Sequence, residues 1–300
     1  MTPALAGELA ASEVLANLLE TRVHNPGRIV DLAAVRRPPG GLVGDTGRLL
    51  LVAADHTARG VLRAGSRPLA MADRVDLLAR LRIALGRPGV DGVMATADIL
   101  EDLLLLGALE GKVVVGSMNR GGLAGTRFEI DDRFTGYQPA AISGMGWQGG
   151  KMLLRIDPED PATAPTMQSC AHAVDGLAAH GLMAMVEPFI AHRIGGRVRN
   201  DLTAEAVIRS CTVAAGLGST SAYTWLKLPV VENMESVLAA TTLPALVLGG
   251  EVGEDQHSQM VQWSKALAWP SVRGMVVGRS LLYPPDDDVA AAVDATVELM

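Results

Sequence analysis

Short apolar runs recur along the chain, and segments with helical periodicity separate them. Apolar runs of about four to eight residues, bounded by Gly, Pro or polar residues, are typical of fully buried strands. Eight runs of this kind are present, at residues 49–55, 92–96, 113–118, 150–157, 182–187, 223–228, 245–249 and 274–278. Continuous apolar strands that alternate with helices indicate a parallel sheet covered on its outer face, and eight such units can close into a barrel. The pattern therefore predicts an α/β fold, a single (β/α)₈ barrel.

The segments between the runs predict helices, the clearest of them at residues 72–85, 167–180, 203–216 and 255–268. Helical spacing of apolar residues at 5–19, before any strand, predicts an extra N-terminal helix. We therefore expect one domain over residues 1–300, with the N-terminal helix and a turn-rich lead-in at 1–48, the barrel at 49–283 and a C-terminal helix at 284–300. Residues 120–136 are glycine-rich and polar, which predicts either an active-site loop or a simple insertion.

Composition narrows the class of protein. Hydrophobic residues make up 49% of the chain and aromatic residues only 3%, which suits layered strands and helices. A formal net charge of -7 argues against nucleic acid as the main partner, because phosphate-backbone binding usually needs a basic face.

The two cysteines show no metal or disulfide spacing, which favours buried thiols. With no leader-like segment and no apolar stretch long enough for a membrane helix, we expect a soluble cytoplasmic protein. Barrels of this size commonly assemble, so a homo-oligomer is compatible with the sequence.

Polar residues gather where the apolar runs end. In (β/α)₈ barrels the chemistry lies at the C-terminal ends of the strands. The polar residues at these ends are Asp55, His56, Asn119, Lys151, Arg155, Asp157, Glu187, Lys227, Glu251 and Arg279. The predicted active site is built from this set.

The lysines are the most informative members of the set, because only four of the 26 basic residues are lysines. Two of the four, Lys151 and Lys227, lie inside apolar strand runs, where an ammonium group is costly unless it is paired or deprotonated. An amine in a partly apolar pocket beside a second cation can be neutral and attack a carbonyl to form an imine. The structural alternative is that each lysine only pairs with a carboxylate, such as Asp157 or Glu187.

Other polar groups could complete an imine-forming site. Glu187 or Asp55 could move protons during carbon–carbon cleavage, although Asp55 could equally cap a helix or bond to the next loop. Gly249, Gly250, Gly278 and Arg279 follow the last two strands, where such barrels commonly bind phosphate. Glycines also end strands for steric reasons. The six histidines are scattered, so we expect no metal and no other cofactor.

These residues, from about position 49 to 282, resemble those of class I (Schiff-base) aldolases. The closest likeness is to the tagatose-bisphosphate and archaeal-type fructose-bisphosphate aldolase branch, which includes sulfofructose-phosphate aldolase. The chain is also similar to barrel proteins assigned as aldolases in actinobacterial inositol-catabolism clusters. The resemblance implies that Lys227 is the Schiff-base lysine, Lys151 the second active-site lysine and Glu187 the acid/base. It implies a phosphate cradle at Gly250 and Arg279. From its position at the end of the first strand, we also expect His56 to bind substrate.

The resemblance implies cleavage of a phosphorylated ketose or keto-sugar acid to dihydroxyacetone phosphate and an aldehyde. For an inositol-pathway role the substrate would be 2-deoxy-5-keto-6-phosphogluconate. Arg155 replaces an aromatic residue expected late in strand four. With Arg59 or Arg193 it suggests a second anionic group on the substrate. Two alternatives stay open: a deoxyribose-phosphate aldolase, which also uses a strand-six lysine, and a non-catalytic barrel that binds a sugar phosphate.

Overall fold

The computed structural model describes residues 11–44, 46–250 and 256–300, and within them eight parallel strands form a closed barrel. The barrel strands are β1 (Leu49–Ala53), β2 (Gly92–Ala95), β3 (Val113–Ser117), β4 (Gly149–Ile156), β5 (Met183–Ile194), β7 (Thr224–Leu228), β8 (Ala245–Leu248) and β9 (Val272–Val277). Strand β1 pairs with both β2 and β9, and the β4–β5 pairing completes the ring. The predicted (β/α)₈ barrel is confirmed.

Helices surround the barrel and precede it. In the described residues they are α1 (Ala11–His24), α2 (Arg28–Val35), α3 (Arg74–Gly86), α4 (Ala97–Leu105), α5 (Pro139–Gly144), α6 (Thr163–Ala179), α7 (Ala204–Ala215), α8 (Met234–Ala239), α9 (Gln256–Leu267), α10 (Arg279–Leu282) and α11 (Val289–Val297). The extra N-terminal helix is present as α1, and residues 5–10 of the predicted span lie outside the described residues. Helices α3 and α7 begin just after Asp73 and Thr203, whose side chains accept hydrogen bonds from first-turn N–H groups. None of the described helices is long and apolar enough to span a membrane.

The interior of the barrel changes character along its axis. Successive strand residues point alternately inward and outward, so every second residue faces the interior. Apolar side chains from the strand starts form a separate interior cluster, which comprises Leu49, Leu51, Ala53, Met94, Val113, Val115, Met183, Met185, Leu246 and Val276. The same inward positions, continued toward the C-terminal ends, hold Asp55, Ser117, Lys151, Glu187 and Lys227. The barrel therefore has an apolar floor and a charged upper layer.

Strand β5 is longer than predicted. We expected it to end at Glu187, but it continues to Ile194 and turns back as β6 (Arg197–Asn200), which pairs with it antiparallel. The extension lies beside β4, which pairs with β5 from Gly149 to Ile156. The buried part of the strand ends at Ala191, and the exposed residues 192–194 still belong to the strand because the hairpin supplies backbone partners. Glu187 consequently lies inside a strand, where the backbone holds it on both sides.

Both cysteines are buried, as predicted. Cys170 lies on α6 and Cys211 on α7, and neither forms a disulfide. Burial raises the pKa of the Cys170 thiol to about 12 and that of Cys211 to about 11. Because the thiolate is the reactive form of cysteine, these two thiols are inert packing groups.

Candidate active site

Two lysines share one carboxylate at the centre of the upper barrel. Lys227 on β7 places its Nζ 2.9 Å from Glu187 Oε1, and Lys151 on β4 places its Nζ 2.5 Å from Glu187 Oε2. All three side chains are buried, with exposures of 5%, 1% and 9% for Lys227, Lys151 and Glu187. The predicted lysine pair is therefore brought together, and Glu187 is its common partner. The pairing with Glu187 also fits the structural alternative, in which each lysine only pairs with a carboxylate.

Asp55 lies on the far side of Lys151. Its Oδ2 accepts hydrogen bonds from Lys151 Nζ at 3.2 Å and from Ser117 Oγ at 3.0 Å, and it is also in contact with Nη2 of Arg120. Arg120 Nε in turn donates to Ser117 Oγ at 3.2 Å. Asp55 thus connects Ser117 on β3, Lys151 on β4 and Arg120 in the segment after β3. We call Asp55, Arg120, Lys151, Glu187 and Lys227 the central charged layer.

Burial and neighbouring charges shift the protonation of this layer. Burial lowers the pKa of Lys151 well below its usual value, and the nearby Arg120 lowers it further. Burial also lowers the pKa of Lys227, although the Glu187 carboxylate acts against this. Burial works to raise the pKa of Glu187, but the two lysines outweigh it and hold that pKa far below its usual range. The layer therefore contains an ionised carboxylate beside amines that lose a proton more easily than exposed lysines do.

His56 stands half-buried beside this layer, and the structure leaves its Nδ1 without a hydrogen-bond partner among the described residues. Burial lowers its pKa well below the usual value, and the positive charges of Arg279, Lys227 and Lys151 lower it further. A Cβ atom at Gly278 would lie 2.9 Å from His56 Cε1 and 2.6 Å from Ala53 O, so only glycine fits there. His56 is therefore a neutral imidazole that could exchange hydrogen bonds with a substrate.

The predicted phosphate cradle lies where β8 and β9 end. Gly250 has a left-handed backbone with φ of 72°, and Arg279 begins the short helix α10. A Cβ atom at Gly249 would approach Val277 Cγ1 to 2.6 Å. The steric explanation for the glycines thus holds at Gly249 and Gly278, and their phosphate role stays a prediction. Glu251 lies outside the described residues.

A second group of buried charges borders the first. We call Arg59, Glu129, Asp132 and Arg155 the loop cluster, because the two acids lie in the β3–α5 loop (residues 118–138). Arg59 forms an ion pair with Asp132, and Arg155 forms one with Glu129. Glu129 also accepts from Gly125 N at 2.8 Å, and Asp132 accepts from Gly122 N at 3.2 Å. Arg155, predicted to bind substrate, is therefore held by a loop carboxylate in this structure.

Several other predicted polar groups have structural partners. Asn119 forms two hydrogen bonds with the backbone of Leu153. Its Nδ2 donates to Leu153 O at 2.6 Å, and its Oδ1 accepts from Leu153 N at 2.8 Å. Asp157 accepts from Glu159 N at 3.1 Å in the turn before α6 and pairs with neither lysine. Arg193 pairs with Asp160 at 3.3 Å and donates to a carbonyl of the β3–α5 loop. The contacts of these groups with substrate therefore stay predictions, and the structure shows them bonded to other parts of the chain.

Sequence reasoning missed two members of the site, Arg120 and Ser117. A signal for Ser117 was present, because it continues the inward-facing positions of β3 after two valines. Arg120 belongs to the glycine-rich segment that we expected to be either an active-site loop or an insertion. The contact between Arg120 and Asp55 favours the first of these. No group of three or more His, Cys, Asp or Glu side chains suited to a metal ion occurs within the described part of the chain.

The fold and the charged layer define a (β/α)₈ barrel with a buried lysine pair at the C-terminal ends of its strands. The chain belongs to the Cgl0159-like family, whose sequence profile matches residues 47–297. The crystal structure of Cgl0159 from Corynebacterium glutamicum is 49% identical in sequence and has a TM-score of 0.93. That match covers 99% of this chain and 98% of the relative.

More distant solved structures share the fold. An archaeal fructose-1,6-bisphosphate aldolase, with its catalytic Lys covalently bound to the carbinolamine intermediate of the substrate, is 17% identical with a TM-score of 0.61. The match covers 90% of this chain and 98% of that one. A fructose-bisphosphate aldolase from Slackia heliotrinireducens is 15% identical with a TM-score of 0.60, covering 99% and 93%. The predicted likeness to archaeal-type aldolases is thus confirmed as a likeness of fold. None of the curated proteins matches the chain.

Proposed function

We propose that the protein is a class I aldolase in which Lys227 forms a Schiff base with a carbonyl substrate. The observation that carries the proposal is the buried pair of Lys227 and Lys151 on a single carboxylate, Glu187, above the apolar floor of the barrel. Together with Arg120, the two lysines outnumber the two carboxylates, Asp55 and Glu187, whereas a purely structural group of buried ion pairs would be balanced. The shared fold with an aldolase that holds its intermediate on a lysine supports the same chemistry here.

The surroundings of the two lysines favour Lys227 as the nucleophile. Among the described residues, Lys151 is in contact with two carboxylates, Asp55 and Glu187, whereas Lys227 is in contact with Glu187 alone. Lys151 is also the more deeply buried of the two, at 1% exposure against 5%. Lys227 is therefore easier for a substrate to reach and has fewer carboxylate contacts to lose when it reacts. Lys151 stays beside Asp55 and Glu187, where its N–H groups can hydrogen-bond to the substrate and polarise it.

In the proposed reaction, Glu187 accepts and returns the protons that move during bond cleavage. The neutral Lys227 amine attacks the substrate carbonyl, and the resulting carbinolamine takes up a proton and loses water to give the protonated imine. A carboxylate then takes the proton of the substrate hydroxyl, the carbon–carbon bond breaks, and its electron pair passes into the protonated imine to give a neutral enamine. The aldehyde leaves, the enamine carbon is protonated, and water hydrolyses the imine. Glu187 suits the proton transfers because it is in contact with Lys227 Nζ, whereas Asp55 is in contact with Lys151.

We propose a phosphorylated ketose or keto-sugar acid as the substrate, giving dihydroxyacetone phosphate. The phosphate would bind at Gly249, Gly250, Gly278 and Arg279, the usual position in such barrels. The specific candidate is 2-deoxy-5-keto-6-phosphogluconate, with malonate semialdehyde as the second product. Its carboxylate could reach Arg155 only by competing with Glu129, which holds that arginine in the present structure.

Trapping with borohydride tests the proposal. The protein is incubated with dihydroxyacetone phosphate and borohydride, and the adduct is located by mass spectrometry of peptides. We expect modification of Lys227, no modification in Lys227→Met, and normal modification in Lys265→Met, a matched control at an exposed lysine. An adduct that persists in Lys227→Met would overturn the assignment. Binding of sugar phosphates without any adduct would favour the non-catalytic barrel, and cleavage of deoxyribose 5-phosphate that survives Arg155→Ala would favour the deoxyribose-phosphate aldolase.

A further inference from the structure

Arg120 is held in place on both sides of its backbone position. Before it, Met118 N donates to Lys151 O at 2.9 Å, and Asn119 is bonded twice to the Leu153 backbone. After it, Gly121 N donates to Arg133 O at 3.2 Å. The side chain of Arg120 is 8% exposed. The guanidinium is therefore presented to the barrel interior by a fixed piece of the β3–α5 loop.

The guanidinium competes with Lys151 for one carboxylate oxygen. Arg120 Nη2 and Lys151 Nζ both meet Asp55 Oδ2. Ser117 supports the arrangement, since its Oγ accepts from Arg120 Nε and donates to the same Asp55 oxygen. Arg120 meets Asp55 directly through Nη2 and indirectly through Ser117, whereas Lys151 Nζ lies 3.2 Å from Asp55 Oδ2 and only 2.5 Å from Glu187 Oε2. Asp55 is thus engaged mainly by Arg120, and Lys151 relies mainly on Glu187.

The charge count of the layer changes with this one residue. The charged and titratable groups near Lys151 are Asp55, Arg120, Glu187 and Lys227, and His56 and Arg279 lie beside this group. Arg120 also interacts electrostatically with Asp132 and Arg155 of the loop cluster, whose formal charge is zero. Without Arg120, two lysines would face two carboxylates and both could stay ionised at no net charge. With Arg120 present, the layer has one positive charge too many. A lysine releases that charge before a guanidinium does, because arginine is the stronger base.

We propose that Arg120 is a positioning residue that takes Asp55 as its own counter-ion and so leaves the lysine pair short of negative charge, with one amine free to be neutral. The catalytic consequence of this inference rests on the proposed function, whereas its electrostatic content does not. The pKa directions agree with it: after burial, Arg120 is the largest influence that lowers the pKa of Lys151, and it also lowers that of Lys227. Burial lowers the pKa of Arg120 itself to about 10, so it stays charged at neutral pH.

The small number of lysines makes a direct test feasible. Because the chain has only Lys112, Lys151, Lys227 and Lys265, lysine labelled with carbon-13 at the ε position gives four NMR signals whose shifts report protonation. Assignment uses the Lys→Met variant of each. In Arg120→Gln we expect the titration midpoint of Lys151 to rise by about one pH unit and that of Lys227 to rise by less. The exposed Lys265 should not move.

Two further variants keep the test decisive. Arg120→Lys retains a positive charge, so the titration midpoints of Lys151 and Lys227 should lie close to those of the wild type. Arg133→Gln removes an exposed arginine of the same loop and should change neither midpoint. Unchanged midpoints in folded Arg120→Gln would overturn the inference, as would an equal shift in Arg133→Gln. If Arg120→Gln does not fold, Arg120→Lys and Arg120→Met are titrated in its place, and equal midpoints in these two would overturn it.

Activity gives a second readout. If the protein cleaves its substrate through Lys227, the acidic limb of the kcat/KM profile should move to higher pH in Arg120→Gln, because a lysine with a raised pKa becomes neutral only at higher pH. A uniform loss of activity with an unmoved profile would mean a merely structural role. Failure of the wild type to form any imine would contradict the proposed function, yet the NMR midpoints would still decide the role of Arg120.

Discussion

The central charged layer and the loop cluster are both buried groups of ionised side chains, and they lie side by side. The loop cluster pairs two arginines with two carboxylates, so its formal charge is zero, and it contains no lysine. The central layer has three basic groups and two acids, and two of the three bases are lysines. The difference indicates that balanced arginine–carboxylate pairs shape the loop, whereas an unbalanced group with titratable amines is suited to chemistry.

The largest expected effect is a loss of kcat when a lysine of the central charged layer is replaced. Lys227→Met removes the proposed nucleophile and leaves Glu187 paired with Lys151. We expect kcat to fall at least about ten-thousand-fold, since the other amine of the layer, Lys151, is more deeply buried and is held by two carboxylates. Steady-state rates on the proposed substrate measure it, with Lys265→Met as the control. A loss of less than about tenfold would contradict the assigned role of the central layer.

Glu187→Gln is expected to separate imine formation from turnover. The carboxamide cannot accept a proton, so turnover should fall by about a hundred- to ten-thousand-fold. Loss of the Glu187 charge also removes the influence that raises the pKa of both lysines, so their amines become neutral more easily. Borohydride trapping should therefore persist while kcat collapses. Loss of trapping and turnover in equal proportion would show that Glu187 only holds Lys227 in position.

A substitution in the loop cluster should lower the free energy of unfolding and leave the lysine titrations unchanged. Arg59→Met leaves the buried Asp132 without its ion-pair partner, and the side chains of the pair are 4% and 5% exposed. We expect a loss of about 3–5 kcal/mol in the free energy of unfolding, and much less in the double variant Arg59→Met with Asp132→Asn. Urea unfolding measures both. The midpoints of Lys151 and Lys227 should stay where they are, and a shift of either by as much as in Arg120→Gln would erase the distinction between the two groups.

The smallest expected effect is in the pH dependence of stability. The pKa of Lys151 is lower in the folded chain than in the unfolded one, so between these two values the unfolded chain binds more protons. Stability should therefore rise with pH up to the unfolded value of about 10.4 and then level off. Lys151→Met should flatten this rise, and it leaves Asp55 with Arg120 and Glu187 with Lys227. An identical slope in the variant would contradict the depressed pKa.

The barrel could be predicted from sequence because buried parallel strands read as continuous apolar runs. The β5–β6 hairpin could not, since its exposed residues 192–200 depend on backbone pairing rather than on an apolar pattern. Lys151, Lys227 and Glu187 stood out as polar residues at or near apolar runs. Asn119 and Asp157 stood out in the same way and have structural partners instead, because a strand-end position does not specify what the side chain meets.

By itself, the sequence determined the eight strands, the lysines placed among apolar residues and the glycine-rich segment between the third and fourth strands. Only the tertiary structure decided which charges meet: that two lysines share Glu187, that Arg155 is paired with a loop carboxylate, and that Arg120 reaches Asp55. The physical reason is range. The apolar runs that predict the barrel strands are patterns of residues adjacent in sequence, whereas the protonation of Lys151 depends on groups from positions 55, 120, 187 and 227, which come together only when the barrel closes.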